Sequence, residues 1–330
     1  MSTKRLEQAA QATKTAFVFP GQGSQKVGML AELAEQFSVV RDTFAEASAA
    51  LGFDLWQIAQ SGEGLDQTEN TQPVLLTASI ALWRVWLELG GIAPKYLAGH
   101  SLGEYSALVA AEAMTLTDAV KLVHLRGKLM QSAVPQGTGA MAAILGLADE
   151  KVIELCQKVN ASAAGQGSVE AANYNAQGQV VIAGSTALVQ QVMAEAKEQS
   201  GKAIALPVSV PSHCTLMKPA AEKFAEALEQ TAIELPHLPV IQNVNAEIAT
   251  DVAQLRQALT AQLYQSVQWT RTMQYLQDEG VQYVVECGPG TVLSNLAKRL
   301  PNIEKAFAID SKARMEDALN AVLVAEGKIA

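Results

Sequence analysis

The feature that most constrains the fold of this chain is the pentapeptide Gly-His-Ser-Leu-Gly at residues 99–103. A short apolar run ending at Ala98 precedes it and a run with few helix breakers follows, which predicts a strand, a sharp turn and a helix. Glycines two residues before and after a serine let the strand and helix close where a Cβ atom would not fit. The turn would present the Ser101 hydroxyl at a helix N-terminus, where free N–H groups favour developing negative charge. The pattern therefore indicates a nucleophilic serine, and a glycine-rich turn without chemistry is the alternative.

The rest of the chain alternates between strand-like and helix-like segments, which predicts an α/β fold with a mostly parallel sheet covered on both faces. Residues 137–207 follow the order β-α-β-β-α-β, the ferredoxin-like pattern of a compact unit that can be inserted into a larger domain. We therefore expect a large catalytic α/β subdomain, residues 15–136 and 208–330, and a small ferredoxin-like subdomain, residues 137–207. Residues 1–14 are polar and alanine-rich and are expected to form a flexible leader. A long helix is predicted over residues 73–89, with Pro73 in its first turn.

Composition excludes several classes of function. The chain has 330 residues with 49% hydrophobic and 17% charged content, which is typical of a soluble enzyme. Its net charge of −9 and the lack of a Lys/Arg-rich run argue against nucleic acid as a partner. No apolar stretch is long enough to predict a membrane span or a signal peptide. The three cysteines are widely spaced without a Cys-x-x-Cys motif, so we expect no disulfide, no metal site and a cytoplasmic location.

A serine nucleophile needs a base, and the chain offers four histidines. His213 lies in a loop directly after a predicted strand, the position where α/β folds place active-site residues, and is the favoured base. His100 adjoins Ser101 but should leave the strand on the opposite face. His124 lies within an apolar helical periodicity and is expected to be packed or at the surface. His237 lies between two prolines in an expected exposed turn.

Three further features bear on the class of enzyme: the partner of His213, the neighbouring Cys214, and Arg126. No acidic residue stands out as a partner for His213, although a backbone carbonyl could orient the imidazole instead. Cys214 is an alternative nucleophile, but adjacent side chains diverge and a free cysteine is most often simply buried. Arg126, on a predicted helix, has no oppositely charged partner nearby in the sequence, which suggests that it binds a substrate carboxylate. The alternative is an arginine exposed to solvent at the surface. A serine hydrolase of the thioesterase or esterase type is one enzyme class that could use Ser101, and a non-enzymatic scaffold is disfavoured because nucleophile, base and arginine are all present.

Several motifs, in order along the chain, resemble those of the malonyl-CoA:acyl carrier protein transacylases of bacterial fatty-acid synthesis. They are Phe-Pro-Gly-Gln-Gly-Ser-Gln at 19–25, Gly-His-Ser-Leu-Gly-Glu-Tyr-Ser at 99–106, Arg-Gly at 126–127, Gly-Thr-Gly-Ala-Met-Ala at 137–142, Pro-Ser-His at 211–213, Val-Gln-Trp at 267–269 and Glu-Cys-Gly-Pro-Gly at 286–290. The resemblance covers roughly residues 15–310. Cys287 departs from it, because a small apolar residue such as valine is expected there.

The resemblance implies an α/β-hydrolase-like core with a ferredoxin-like insert, and a malonyl group carried from malonyl-CoA to holo-acyl carrier protein through an acyl-serine. It implies no cofactor, a transient carrier-protein partner and a coenzyme A thioester substrate. It also implies roles for six residues: Ser101 as nucleophile, His213 as general base and then acid, Gln262 as the residue whose backbone carbonyl orients His213, Gln22 and Leu102 as oxyanion-hole donors, and Arg126 as the group that binds the malonyl carboxylate.

An acidic carrier protein and a chain of net charge −9 repel each other at long range. We therefore expect a local basic patch at the mouth of the cleft. The candidate residues are Lys128, Lys202 and Lys218.

Overall fold

The structure of the protein is a computed structural model that describes residues 13–208 and 210–329. The predicted flexible leader, residues 1–14, lies almost entirely outside the described residues. The strands in chain order are β1 (Thr15–Phe19), β2 (Tyr96–Gly99), β3 (Gly139–Leu145), β4 (Val169–Ala176), β5 (Gln179–Ser185), β6 (Lys202–Ala205), β7 (Val240–Ile241), β8 (Tyr283–Glu286) and β9 (Lys305–Ala308).

The helices number thirteen over the same residues. They are α1 (Ala31–Gln36), α2 (Ser38–Leu51), α3 (Leu55–Ser61), α4 (Thr68–Glu88), α5 (Gly103–Ala110), α6 (Leu116–Ser132), α7 (Asp149–Ser162), α8 (Thr186–Glu198), α9 (Lys218–Gln230), α10 (Val252–Ala261), α11 (Trp269–Asp278), α12 (Val292–Ala297) and α13 (Lys312–Ala325). None of the helices in this part of the chain is long and apolar enough to cross a lipid bilayer.

The strands form two sheets, and the predicted α/β fold class is confirmed. The larger sheet has the order β7-β2-β1-β8-β9, and every neighbouring pair in it is parallel. All five residues of its central strand β1 are buried, as expected for a parallel sheet with helices on both faces. Separate apolar clusters lie on its two faces, one containing Phe17 and Phe19 and the other Ala16 and Val18.

The smaller sheet is antiparallel, with the order β4-β5-β3-β6. Its strands and the helices α7 and α8 all come from residues within the predicted 137–207 segment and enclose a core of their own. Two backbone hydrogen bonds join strand β4 to Val267, just before helix α11. Tyr174 N–H donates to the Val267 carbonyl and Val267 N–H donates to the Ala172 carbonyl, both at 2.9 Å.

The long buried helix α4 begins five residues earlier than predicted, at Thr68 rather than at Pro73. A proline inside a helix leaves the carbonyl four residues before it without its N–H partner. Here that carbonyl belongs to Glu69, and the Nδ1–H of His124 donates to it at 2.8 Å. Helix α6 can come this close because a Cβ atom on its Gly127 would lie 2.6 Å from the Glu69 Cα. The proline therefore remains inside the helix, and His124 has a structural role.

Candidate active site

The turn at Ser101 has the geometry that its glycines predict. Ser101 has a φ of 53°, a left-handed conformation that is unfavourable for a residue with a side chain. A Cβ on Gly99 would lie 1.9 Å from the carbonyl of Gly103, and a Cβ on Gly103 would lie 2.0 Å from the Phe19 carbonyl oxygen. Only glycine fits at both positions, so strand β2 passes directly into helix α5 with Ser101 at the junction.

The side chain of Asn243 holds this turn in place from the end of strand β7. Its Oδ1 accepts a hydrogen bond from the Ser101 N–H at 2.7 Å, and its Nδ2 donates to the Gly99 carbonyl at 2.5 Å. Asn243 is 1% exposed, so both bonds are shielded from water. Sequence reasoning missed this residue, although its position just after a strand of the parallel sheet was a usable signal.

His213 is the histidine that contacts the nucleophile. Its Nε2 lies 2.7 Å from the Ser101 Oγ, and its Nδ1 lies 2.7 Å from the backbone carbonyl oxygen of Gln262. Because a carbonyl can only accept, Nδ1 carries the proton and Nε2 is free to accept one from the serine. Burial, followed by the positive charge of Arg126, lowers the pKa of His213 to about 3, so the imidazole is neutral in the empty site.

The other candidate bases and the alternative nucleophile Cys214 do not form a hydrogen bond with the Ser101 hydroxyl. His100 is half-buried beside Trp269, with its Nε2 2.8 Å from Asn175 Oδ1. His237 lies at the surface, 2.9 Å from a Glu112 carboxylate oxygen. Cys214 is fully buried, and burial raises the pKa of its thiol to about 12, so it is a protonated, inert neighbour of the base.

Arg126 is buried in the site rather than solvated, because it is only 1% exposed. Its two terminal nitrogens donate to the side-chain oxygens of Gln72 and Gln262, each at 2.9 Å, and one of them also lies 3.3 Å from the Ser101 Oγ. Over residues 13–208 and 210–329 it forms no ion pair with a carboxylate. Burial lowers the pKa of the guanidinium, but arginine stays charged in proteins. A buried guanidinium with this environment can form a charge-assisted, bidentate pair with a carboxylate that enters the site.

Gln262 contributes its side chain as well as its carbonyl. Its Nε2 donates to the Ser101 carbonyl at 3.0 Å and to the Glu104 carboxylate at 2.6 Å. Its Oε1 accepts from Arg126, as described above. Glu104 is 1% exposed, and burial raises its pKa to about 7. Glu104 was not identified from the sequence, because a glutamate in the first turn of a helix is usually a surface residue.

Gln22 and Leu102 lie together at the site with two free donors. Neither backbone N–H donates a hydrogen bond to another group in the described part of the chain. Both residues line a cavity of about 120 Å³ together with Ser101, Arg126 and His213. A carbonyl oxygen placed in this cavity could accept from both N–H groups as it gains negative charge.

The described residues contain no group of three or more His, Cys, Asp or Glu side chains placed to hold a metal ion. The arrangement that they do form comprises a serine activated by a neutral histidine, two free backbone donors and a buried cation. It can form and break an acyl ester on an acyl group that carries its own carboxylate.

Comparisons with known proteins agree with this chemistry. The chain matches the acyl transferase domain family over residues 16–315. It is 52% identical over 310 residues to the malonyl CoA-acyl carrier protein transacylase of Salmonella typhimurium, a match that covers 93% of this chain and 99% of that protein. It is 44% identical over 310 residues to the Bacillus subtilis protein of the same name, with 93% and 96% covered.

Solved structures give the same result. FabD from Acinetobacter baumannii superimposes with a TM-score of 0.93 at 88% identity, covering 95% of this chain and 99% of that one. A malonyl-transacylase in complex with its type II polyketide synthase acyl-carrier protein superimposes with a TM-score of 0.90 at 49% identity, covering 93% and 99%.

Proposed function

The chain belongs to the acyl transferase domain family, and within it to the malonyl-CoA:acyl carrier protein transacylases, and we propose that it forms a malonyl ester on Ser101. Its activity is the transfer of the malonyl group from malonyl-CoA to the phosphopantetheine thiol of acyl carrier protein, which supplies fatty-acid synthesis. Each residue of the site has a separate role in this transfer.

In the first half-reaction, the Ser101 Oγ attacks the thioester carbonyl while its proton moves to His213 Nε2, 2.7 Å away. The N–H groups of Gln22 and Leu102 receive the oxyanion, an interaction worth about 3–4 kcal/mol per donor in other enzymes. The carbon–sulfur bond then breaks and the proton passes from His213 to the leaving coenzyme A sulfur. The malonyl group remains as an ester on the serine.

In the second half-reaction, the carrier's thiol attacks the ester carbonyl and gives its proton to His213. The tetrahedral intermediate forms in the same oxyanion hole, and its collapse breaks the bond to the Ser101 Oγ. His213 returns the proton to that oxygen, so the enzyme ends each cycle as it began. The Gln262 carbonyl, 2.7 Å from Nδ1, keeps the imidazole in one tautomer throughout.

Arg126 binds the free carboxylate of the malonyl group, and this binding also affects the basicity of His213. Its positive charge is the second cause, after burial, of the low pKa of His213. A bound carboxylate offsets that charge, so the pKa of His213 rises when a malonyl group enters the site and the imidazole becomes a stronger base. An acetyl group brings no carboxylate and leaves the base weak.

The single observation that carries this proposal is the buried Arg126, at 3.3 Å from the Ser101 Oγ and without an ion pair among the described residues. It accounts for the choice of an acyl group with a carboxylate, and it holds the acyl group in one pose while the carrier's thiol replaces coenzyme A. The rival serine hydrolase needs no such cation.

The test is intact-mass analysis after brief incubation with malonyl-CoA, followed by addition of holo-acyl carrier protein. A malonyl adduct is expected on the wild type, none on Ser101→Ala, and the wild-type adduct should move to the carrier. Arg126→Ala should form more acetyl than malonyl adduct when offered equal concentrations of both thioesters. If the adduct instead decays to free malonate at the same rate with and without carrier, the protein is a hydrolase.

The reaction is proposed to need no cofactor, because named side chains and backbone N–H groups supply both proton transfers and oxyanion stabilisation. A cytoplasmic location is also proposed. It is supported by Cys156, Cys214 and Cys287, which are all buried and unpaired.

A further inference from the structure

The mechanism above does not use the buried carboxyl of Glu104, in the first turn of helix α5. Its Oε2 accepts from the Gln262 Nε2 at 2.6 Å and from the Asn243 backbone N–H at 3.3 Å. Its Oε1 is buried and has no hydrogen-bond partner among the described residues. Burying a carboxyl group is costly, so a residue of this kind at an active site points to a role beyond filling space.

The Gln262 side chain connects Glu104 to Arg126. A side-chain amide has one end that donates and one that accepts. The Glu104 carboxylate and the Ser101 carbonyl both accept from Nε2, so the opposite end, Oε1, must face Arg126, and it does so at 2.9 Å. The carboxylate is the stronger of the two acceptors because its bond is charge-assisted and shorter.

We propose that Glu104 is a positioning residue for acyl-group selection: through the Gln262 side chain it holds the Arg126 guanidinium in the place where the acyl carboxylate binds. This inference rests on the proposed function of Arg126 as the carboxylate anchor. Glu104 itself touches neither the acyl group nor the reacting atoms.

The geometry also explains how a cation as buried as Arg126 is accommodated although no carboxylate among the described residues pairs with it. Two neutral amide oxygens, from Gln72 and Gln262, are its close acceptors, and they leave the guanidinium free to pair with a ligand. The negative charge of Glu104 acts on it at longer range, across the Gln262 amide. A carboxylate in direct contact with Arg126 would instead compete with the substrate for the same nitrogens.

The test measures the preference for malonyl-CoA over acetyl-CoA, as the ratio of kcat/KM values, in Glu104→Ala, Glu104→Gln, Gln262→Leu and Arg126→Ala. Glu104→Ala is expected to lower that preference about tenfold, the effect of leaving the Gln262 Nε2 without its shorter buried hydrogen bond. Glu104→Gln keeps an oxygen that accepts from Gln262 Nε2, so its preference should stay within about threefold of the wild type. Gln262→Leu should lower the preference as Glu104→Ala does, and the double variant should lose no more than either alone.

A role in stabilising the turn alone would lower kcat/KM for both thioesters by the same factor. If Glu104→Ala gives that result while Arg126→Ala abolishes the preference, this inference is overturned and the proposed function of Arg126 stands. If Glu104→Ala does not fold, an unchanged preference in Gln262→Leu overturns the inference in its place. If Arg126→Ala keeps the malonyl preference, the anchor role of Arg126 fails, and this inference fails with it.

Discussion

Replacing Asn243 by alanine removes two buried hydrogen bonds at once, both to the backbone of the turn that carries Ser101. The Ser101 N–H loses its acceptor at 2.7 Å, and the Gly99 carbonyl loses its donor. Each polar group left buried and unpaired costs about 1–3 kcal/mol, so a loss of about 3 kcal/mol in the free energy of unfolding is expected. The serine's left-handed backbone adds about 1–2 kcal/mol of strain that the remaining contacts must hold alone.

The expected consequence for activity follows from the position of the Ser101 Oγ. If the turn relaxes, that oxygen moves away from His213 Nε2, and a displacement near 1 Å costs about 100-fold in rate. Urea denaturation and the rate of malonyl transfer to carrier protein measure the two effects. Asn243→Asp has the same volume but turns an oxygen toward the Gly99 carbonyl, so it should lose at least as much stability as the alanine variant.

Asn245→Ala is the matched control on the same loop. Asn245 forms two hydrogen bonds at the surface, both with Glu247, at 3.0 and 3.2 Å, and because they are exposed to water their removal should change stability by less than about 0.5 kcal/mol. The reasoning is refuted if Asn243→Ala unfolds at the same urea concentration as the control and transfers malonyl at the wild-type rate.

Three further predictions concern the pH dependence of stability, a buried thiol and the carrier. Burial raises the pKa of Glu104 to about 7, so this carboxyl's contribution to stability is present below its unfolded pKa of about 4.5 and is lost as pH rises through 7. Glu104→Gln should therefore gain on the order of 3 kcal/mol over the wild type between pH 5 and pH 8, and an equal difference at both pH values would contradict this. Cys214, whose pKa burial raises to about 12, should react with iodoacetamide at pH 8 about 1000-fold more slowly in the native protein than in urea; equal rates would show that the thiol is accessible. Charge reversal at exposed lysines should raise KM for the carrier and leave KM for malonyl-CoA unchanged, whereas an unchanged KM for the carrier would rule out the basic patch. The lysines are Lys128, Lys202 and Lys218.

Local patterns in the sequence predicted the parts of the fold that depend on short-range physics. The two glycines around Ser101 predicted the tight turn because a Cβ atom at either position collides with backbone nearby. The alternation of strands and helices predicted the parallel sheet, and the β-α-β-β-α-β order predicted the small antiparallel sheet. The start of helix α4 was placed too late, because the carbonyl that Pro73 leaves without a partner is bonded by His124 from another helix, a long-range contact with no local signal.

The same distinction between local and long-range effects applies to the active site. By itself the sequence determined the types of group available and much of their chemistry: one serine on a strained turn, one histidine in a loop after a strand, and one helix arginine without a charged neighbour. Only the tertiary structure decided that these groups meet, that Arg126 is buried rather than solvated, and that the side chains of Asn243, Gln262 and Glu104 form hydrogen bonds in the same network. Asn243 and Gln262 lie 139–161 residues further along the chain than Ser101 and Glu104, to which they bond. A hydrogen bond depends on the distance between two groups in space. The spacing of residues along the chain does not give that distance, because it is set when the parallel sheet brings the ends of its strands together.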